Sequence, residues 1–295
     1  MTELFGVPIA VLSGQVMIGL INGSFYALLS LGLAIIFGLL NVINFAHGAF
    51  YMLGAFVSWG LLTYGGVGYW PSLVLTPLIV GALGAVFERT MLRRLYGLDH
   101  LFSLLLTFGL ALALEGIFRW VYGAGGKSYP VPASLQGVYN LGFMVLPIYR
   151  AWVIVASLVV CLLAWVVIEK TPLGARLRAA TENPKLVTAF GINVPLMLTL
   201  TYAAGVGLAG LAGVMAAPIY QVSPNMGSSL IIIVFAVVVI GGMGSIMGSI
   251  VTGLMLGVLE SLTKVFFPTA SAITVFIVMI LVLLMRPAGL FGKDK

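Results

Sequence analysis

The sequence predicts an all-α, polytopic transmembrane helix bundle of about eight to ten membrane segments, and three observations carry that prediction. Charged residues make up only 7% of the chain and hydrophobic residues 61%, against roughly 25% charged in a soluble domain, so the solvent around most of the surface is hydrocarbon. Several uninterrupted apolar stretches reach the roughly 20 residues that a helix needs to cross a bilayer core. None of them alternates polar and apolar as barrel strands do, and in lipid every backbone polar group must be satisfied internally, which leaves helices.

The opening residues, MTELFGVPIA, hold an acid and no basic cluster, so the first span is expected to be retained rather than cleaved as a signal peptide. That span covers 11–37, and others follow at 48–64, 69–87, 101–122, 151–168, 195–217 and 269–285. The apolar stretch 228–262 would overshoot the bilayer as one helix; "GGMGSIMGS" divides it into two segments near 241–245. With this count three basic clusters fall on the cytoplasmic side: Arg89, Arg93 and Arg94; the 170–185 stretch; and Arg286 with Lys293 and Lys295. The N-terminus is then outside, unless a re-entrant segment near Asn41 reverses it, and 123–149 is the longest outer loop.

Small residues recur every four positions at Gly205, Ala209, Gly213 and Ala217, and again at Ser245, Ser249, Gly253 and Gly257. Such stripes let helix backbones approach closely. Cys161, the single cysteine, sits in "VVCLLAW" and reads as a buried thiol without disulfide or redox chemistry. The net charge of +6 is gathered in short loops, where it sets topology and calls for no nucleic-acid partner.

"TPLGARLRAATENPKLVTAFGIN", residues 171–193, is a polar island in this chain. Thr171 before Pro172 and Asn183 before Pro184 each pair a capping side chain with proline at a first helical position, so two short helices are expected. The second runs to about Phe190 and closes at Gly191 in the left-handed conformation. Leu173, Leu177 and Ala180 fall along one side of the first helix, and Leu186, Val187 and Phe190 give the second an apolar side. A plain topology loop needs neither two capped helices nor projecting apolar side chains, so a cytoplasmic docking surface is the sharper of the two readings.

"RAATENPKLVTAFGIN" resembles the cytoplasmic coupling loop of the branched-chain amino-acid permease family of bacterial ABC importers, a family related to urea and amide permeases. "NGSFYALLSLGLAIIFGLLNVINFAHGAFYMLGAF", "VIGGMGSIMGSIVTGLMLGVLESL" and "RPAGLFG" resemble further family signatures in the same order. The resemblance implies a single permease domain over 1–295, with a coupling loop at about 170–192 that meets an ATPase subunit through Arg176, Arg178, Ala179, Glu182, Asn183, Lys185, Leu186, Val187, Phe190, Gly191 and Ile192. It also implies the partners: a homologous second permease or a second copy, two cytoplasmic ATPase subunits carrying ATP and Mg, and a periplasmic solute-binding protein. This chain would bind no cofactor itself, and its place is the bacterial cytoplasmic (inner) membrane.

Polar residues within the spans leave two readings open. Asn41, Asn44 and His47 are three apart and would line one side of a helical turn, as a packing cluster or as part of the translocation path or its gate. Asn22, Ser24 and Tyr26, beside Gly23, either bond neighbouring helices or mark an unwound stretch on that path. Two histidines, His47 and His100, with a single cysteine are too few for a typical metal site, and none is expected. Glu115 with Arg119, and Glu260 with Lys264, have the spacing and order of structural helical ion pairs. An intramembrane enzyme would need H-E-x-x-H or G-x-S-G, a proton-coupled carrier an unpaired deep carboxylate, and an ATPase a G-x-x-x-x-G-K-[ST] loop; neither protease motif nor the nucleotide loop occurs, and neither Glu115 nor Glu260 reads as such a carboxylate.

Overall fold

A computed structural model describes residues 3–4 and 7–292, so Lys293 and Lys295 of the third basic cluster lie outside the described residues. The chain opens with strands β1 (Glu3–Leu4) and β2 (Val7–Pro8), then α1 (Ile9–Leu40), α2 (His47–Gly65), α3 (Tyr69–Thr90), a 3-10 turn Leu92–Leu95, and α4 (His100–Tyr122). After a 3-10 turn at Ala133–Leu135 come β3 (Val138–Asn140), β4 (Val145–Pro147) and α5 (Ile148–Lys170). The remaining helices are α6 (Pro172–Glu182), α7 (Pro184–Ala189), α8 (Val194–Ala216), α9 (Ser228–Gly241), α10 (Ile246–Phe266) and α11 (Ser271–Met285).

The all-α class holds, and the membrane count is lower than expected. Among the described residues six helices are long and apolar enough to cross a membrane: Ile9–Leu40, Tyr69–Leu95, His100–Tyr122, Ile148–Lys170, Val194–Ala216 and Ile246–Phe266. The segments at α2, α9 and α11 are the ones not counted, and for the last two the cause is local. The glycine break leaves α9 with 14 residues and α11 has 15, both shorter than a full crossing. The segment 123–149 also differs from a plain loop, because β3 and β4 pair antiparallel with Tyr139 opposite Leu146.

Two compact units divide the chain. The first comprises Met1–Ser30, Val131–Cys161 and Ile233–Lys295. Here α10 lies backbone to backbone on the first part of α1. A Cβ at Gly253 would meet the Ala27 nitrogen at 2.6 Å, one at Gly23 would meet Leu254 Cα at 2.9 Å, and one at Gly257 would run into Gly23 itself. Ser249 is fully buried in the same stripe, and its backbone carbonyl accepts a 3.2 Å bond from the Ser30 hydroxyl. Gly242 and Gly244, with φ of 101° and 88°, turn the chain between α9 and α10, and the Ser245 hydroxyl caps α10 by accepting from the Gly248 amide at 3.1 Å. The C-terminal "RPAGLFG" closes onto this break, with the Leu290 amide donating to the Ile240 carbonyl at 2.8 Å. Cys161 is buried, as its apolar setting implied.

The second unit comprises Leu31–Pro130 and Leu162–Ile232, and α8 is its core. One side of α8 meets the end of α1 and α2: a Cβ at Gly205 would sit 2.8 Å from the Gly32 carbonyl, and one at Gly213 would strike Tyr51 O and Ala55 N. Ala209, between them, is fully buried. A second smooth side, which the four-residue count did not single out, faces α3, where Gly207 approaches the Pro77 carbonyl, Gly210 approaches Val80, and Gly81 returns the approach to the Ala203 carbonyl at 3.0 Å. The outward surface of this unit includes Leu101, Leu105 and Ile117 on α4 and Leu162 and Leu163 on α5. A surface of that size and apolarity calls for hydrocarbon or protein.

Candidate functional site

The 171–193 element folds as two short helices joined at Asn183, but its two start signals behave differently. Asn183 caps α7, its side chain accepting from the Leu186 amide at 3.0 Å. Thr171 does not cap α6; its hydroxyl turns back to the Val167 carbonyl in the last turn of α5, four residues earlier. Gly174 lies so close to the Ile168 carbonyl that any Cβ would overlap it, which makes glycine a requirement of the sharp α5–α6 corner. Gly191 has φ of 80° and ends α7 in the expected left-handed conformation.

One face of the element is anchored. Leu177, Ala180 and Val187 are buried, and Ala180 and Val187 pack with Val194 in the first turn of α8, flanked by the partly buried Ile192. The Thr181 hydroxyl donates to the Leu39 carbonyl at 2.8 Å, fastening α6 to the end of α1. Arg178 reaches the Ile168 carbonyl at 3.2 Å and lies 3.5 Å from Glu169, so it braces the corner.

The opposite face is open. Arg176, Ala179, Glu182, Asn183, Lys185, Leu186 and Gly191 are exposed, as is the Arg178 side chain, and Phe190 is 77% exposed. Two expectations about sidedness are corrected. Val187 does not project, because it supplies the contact that holds α7 on α8; Leu173 lies on the open face, its anchoring place in the stripe taken by Gly174.

Beside the anchored face is a buried carboxylate that the sequence reading passed over. Glu88 is fully buried near the end of α3; it accepts from the Thr199 hydroxyl at 2.6 Å and from the Tyr96 hydroxyl at 2.7 Å. Burial, then this bond to Glu88, lifts the Tyr96 phenol well above its ordinary value and keeps it a donor. The arrangement ties α3, the 3-10 corner and the first turns of α8 together. Thr199→Val is expected to destabilise the protein by about 1–3 kcal/mol, since a buried acceptor loses its donor while shape is kept. Thermal unfolding in detergent measures this, and Thr199→Ser should restore the wild-type midpoint.

The family described as "Branched-chain amino acid transport system / permease component" matches residues 15–285. The chain belongs to that family. It is a permease subunit of a transport system and a multi-pass membrane protein. It is similar to the high-affinity branched-chain amino acid transport system permease protein BraD of Pseudomonas aeruginosa, with 32% identity over 95% of this chain and 96% of that protein. LivH of Salmonella typhimurium is 29% identical over 95% of this chain and 96% of its own length. LivM of the same organism is 28% identical over 92% of this chain and 68% of its own. No solved structure matches.

The intramembrane polar candidates separate in the structure. Residues 41–46 are not helical, so Asn41, Asn44 and His47 do not share one helix side. Asn41 is exposed, with φ of 56° at the end of α1 and its amide 3.5 Å from His100 Nε2. Asn44 and His47 are fully buried. The Asn44 amide is near enough to Tyr202 to interact with its hydroxyl, although their polar atoms make no hydrogen bond of ordinary geometry. The His47 ring packs over Gly32, whose added Cβ would lie 2.9 Å from His47 Cε1. Helix α1 runs unbroken through Asn22, Ser24 and Tyr26. Ser24 bonds the Leu20 carbonyl at 2.7 Å, Tyr26 donates to Glu260 at 2.8 Å, and Asn22 is half-buried. Of these three, Tyr26 bonds a neighbouring helix, and it joins the Glu260–Lys264 pair, at 2.7 Å, as a third member.

Proposed function

We propose that this permease is the membrane subunit of an ABC importer for branched-chain amino acids, working in the bacterial cytoplasmic membrane. It forms half of the translocation path with a homologous permease or a second copy of itself. Two cytoplasmic ATPase subunits, which hold ATP and Mg, dock on the open face of α6 and α7, and a periplasmic binding protein delivers the solute. The chain itself binds no cofactor and catalyses no reaction.

The observation that carries this reading is the two-sidedness of the 171–193 element. Phe190, Leu186 and Glu182 face outward, while Ala180, Val187 and Thr181 are fixed to α8 and α1. A load applied to the outer face would therefore reach the ends of α1, α5 and α8 together, and packed helices respond to such loads as rigid bodies that rotate or slide. The similarity to both LivH and LivM supports a paired permease, and the relatives' names support the cargo.

Reconstitution with the cognate partners tests the proposal. Uptake of leucine, isoleucine or valine is expected to require ATP and to persist when the proton gradient is collapsed. Uptake by the purified chain alone, or uptake abolished by an uncoupler, would refute it.

A further inference from the structure

Glu115 and Arg119 are surrounded by more than a surface ion pair needs. Glu115 lies about 22 Å along α4 from its His100 end, at 1.5 Å per residue, and so falls inside the span. It lines a recess of about 70 Å³ whose apolar wall includes Phe45, Met52, Phe108 and Ile231. Pro224, Gly227 and Ser228 also line it, where a turn leads into the start of α9. Arg119, one turn beyond Glu115, donates from Nη2 to Glu115 Oε1 at 2.6 Å and to Asn225 Oδ1 at 2.7 Å.

Ionisable side chains at membrane depth are costly, and they usually mark a solute or ion pathway. In transporters such groups recur where a helix is interrupted. A guanidinium has five donors and a carboxylate about four lone-pair sites, so the two bonds drawn by Nη2 leave capacity for a ligand. The side chains keep access as well, 20% for Glu115 and 50% for Arg119. The recess is thus small and apolar apart from the Glu115 carboxylate, and Arg119, bonded to Glu115 and to Asn225, sets a positive charge beside that carboxylate, a combination that complements a zwitterion carrying a short aliphatic side chain.

We infer that this recess is a solute site on the path through the permease. Arg119 and the Asn225 amide take the α-carboxylate, Glu115 takes the α-ammonium, and Phe45, Phe108 and Ile231 receive the side chain. The inference rests on the importer reading and adds the groups that meet the solute.

The test uses the full complex in proteoliposomes, with binding protein saturated by leucine or by valine. Ala111, which also lines the recess, is replaced by leucine to shorten it; leucine uptake is expected to fall at least 10-fold and valine uptake less than 3-fold. Glu115→Gln and Arg119→Met are each expected to lower uptake of both solutes at least 10-fold, while ATP hydrolysis still responds to the loaded binding protein. The exchange of Glu115→Arg with Arg119→Glu would repair a merely structural pair, and it is expected to leave uptake low. Equal loss for leucine and valine in Ala111→Leu, wild-type uptake in either single variant, or recovery in the exchange would overturn the site while leaving the importer reading in place. If the wild-type complex shows no stimulated hydrolysis, it is the importer reading that falls, and the site with it.

Discussion

Replacing Phe190 with alanine is expected to lower solute-stimulated ATP hydrolysis of the assembled transporter at least 10-fold, with insertion and thermal stability of the permease unchanged. Phe190 is 77% exposed and follows the last residue of α7, so the fold gains little from its ring. An aromatic anchor at the centre of a docking face is worth about 2 kcal/mol or more when truncated, and about 1.4 kcal/mol corresponds to tenfold in an equilibrium constant. Gly191→Pro should have a larger effect by another route. Its φ of 80° is closed to proline, which is held near −65°, so α7 would lose its ending and the turn into α8 would shift. Glu182→Lys, an exposed charge reversal on the same face, is expected to do less, because solvated charges contribute little. The readout is the ratio of stimulated to basal hydrolysis. An unchanged ratio for both Phe190→Ala and Gly191→Pro would mean that force enters the permease elsewhere.

Valine at Gly257 is expected to remove most folded protein from the membrane. A Cβ there would run into the backbone of Gly23 and lie 2.6 Å from the Gly19 carbonyl, and a main chain cannot step aside as a side-chain tip can. Overpacking of side chains costs about 1–3 kcal/mol, and separating two helices that touch along their backbones also gives up the contacts at Gly253 and Gly23. Gly14→Val supplies the control. It lies on the same helix as Gly19 and Gly23, yet its Cβ would meet nothing within 4 Å. The yield of monodisperse protein in detergent should collapse for the first variant and hold for the second; equal yields would show that the α1–α10 crossing is looser than described.

Much of this architecture is legible residue by residue. Pro172 and Pro184 announce the two short helices, Gly191 announces the end of the second, and the stripes at Gly205 and Gly253 announce close crossings, because each signal acts within one or two turns. The same local rules mislead where a residue has a choice of partner. Thr171 has the right position to cap α6 but finds the Val167 carbonyl first. Val187 looks like its exposed neighbour Leu186 until α8 is present to cover it. Asn41, Asn44 and His47 have helical spacing, and the chain between α1 and α2 is nevertheless non-helical, with Asn41 exposed and the other two buried.

From the sequence alone came the solvent, the helical class, the family and the amphipathic element at 171–193, since hydropathy, periodicity and punctuation by proline and glycine are properties of neighbouring residues. The tertiary structure alone decided that Glu88 is satisfied by Thr199 and Tyr96, that Thr181 fastens α6 to Leu39, and that Glu115 opens on a recess beside Pro224. Those facts join residues from 8 to 142 positions apart. A buried polar group must find its partner wherever the packed helices bring one, and no local pattern records which helix that will be.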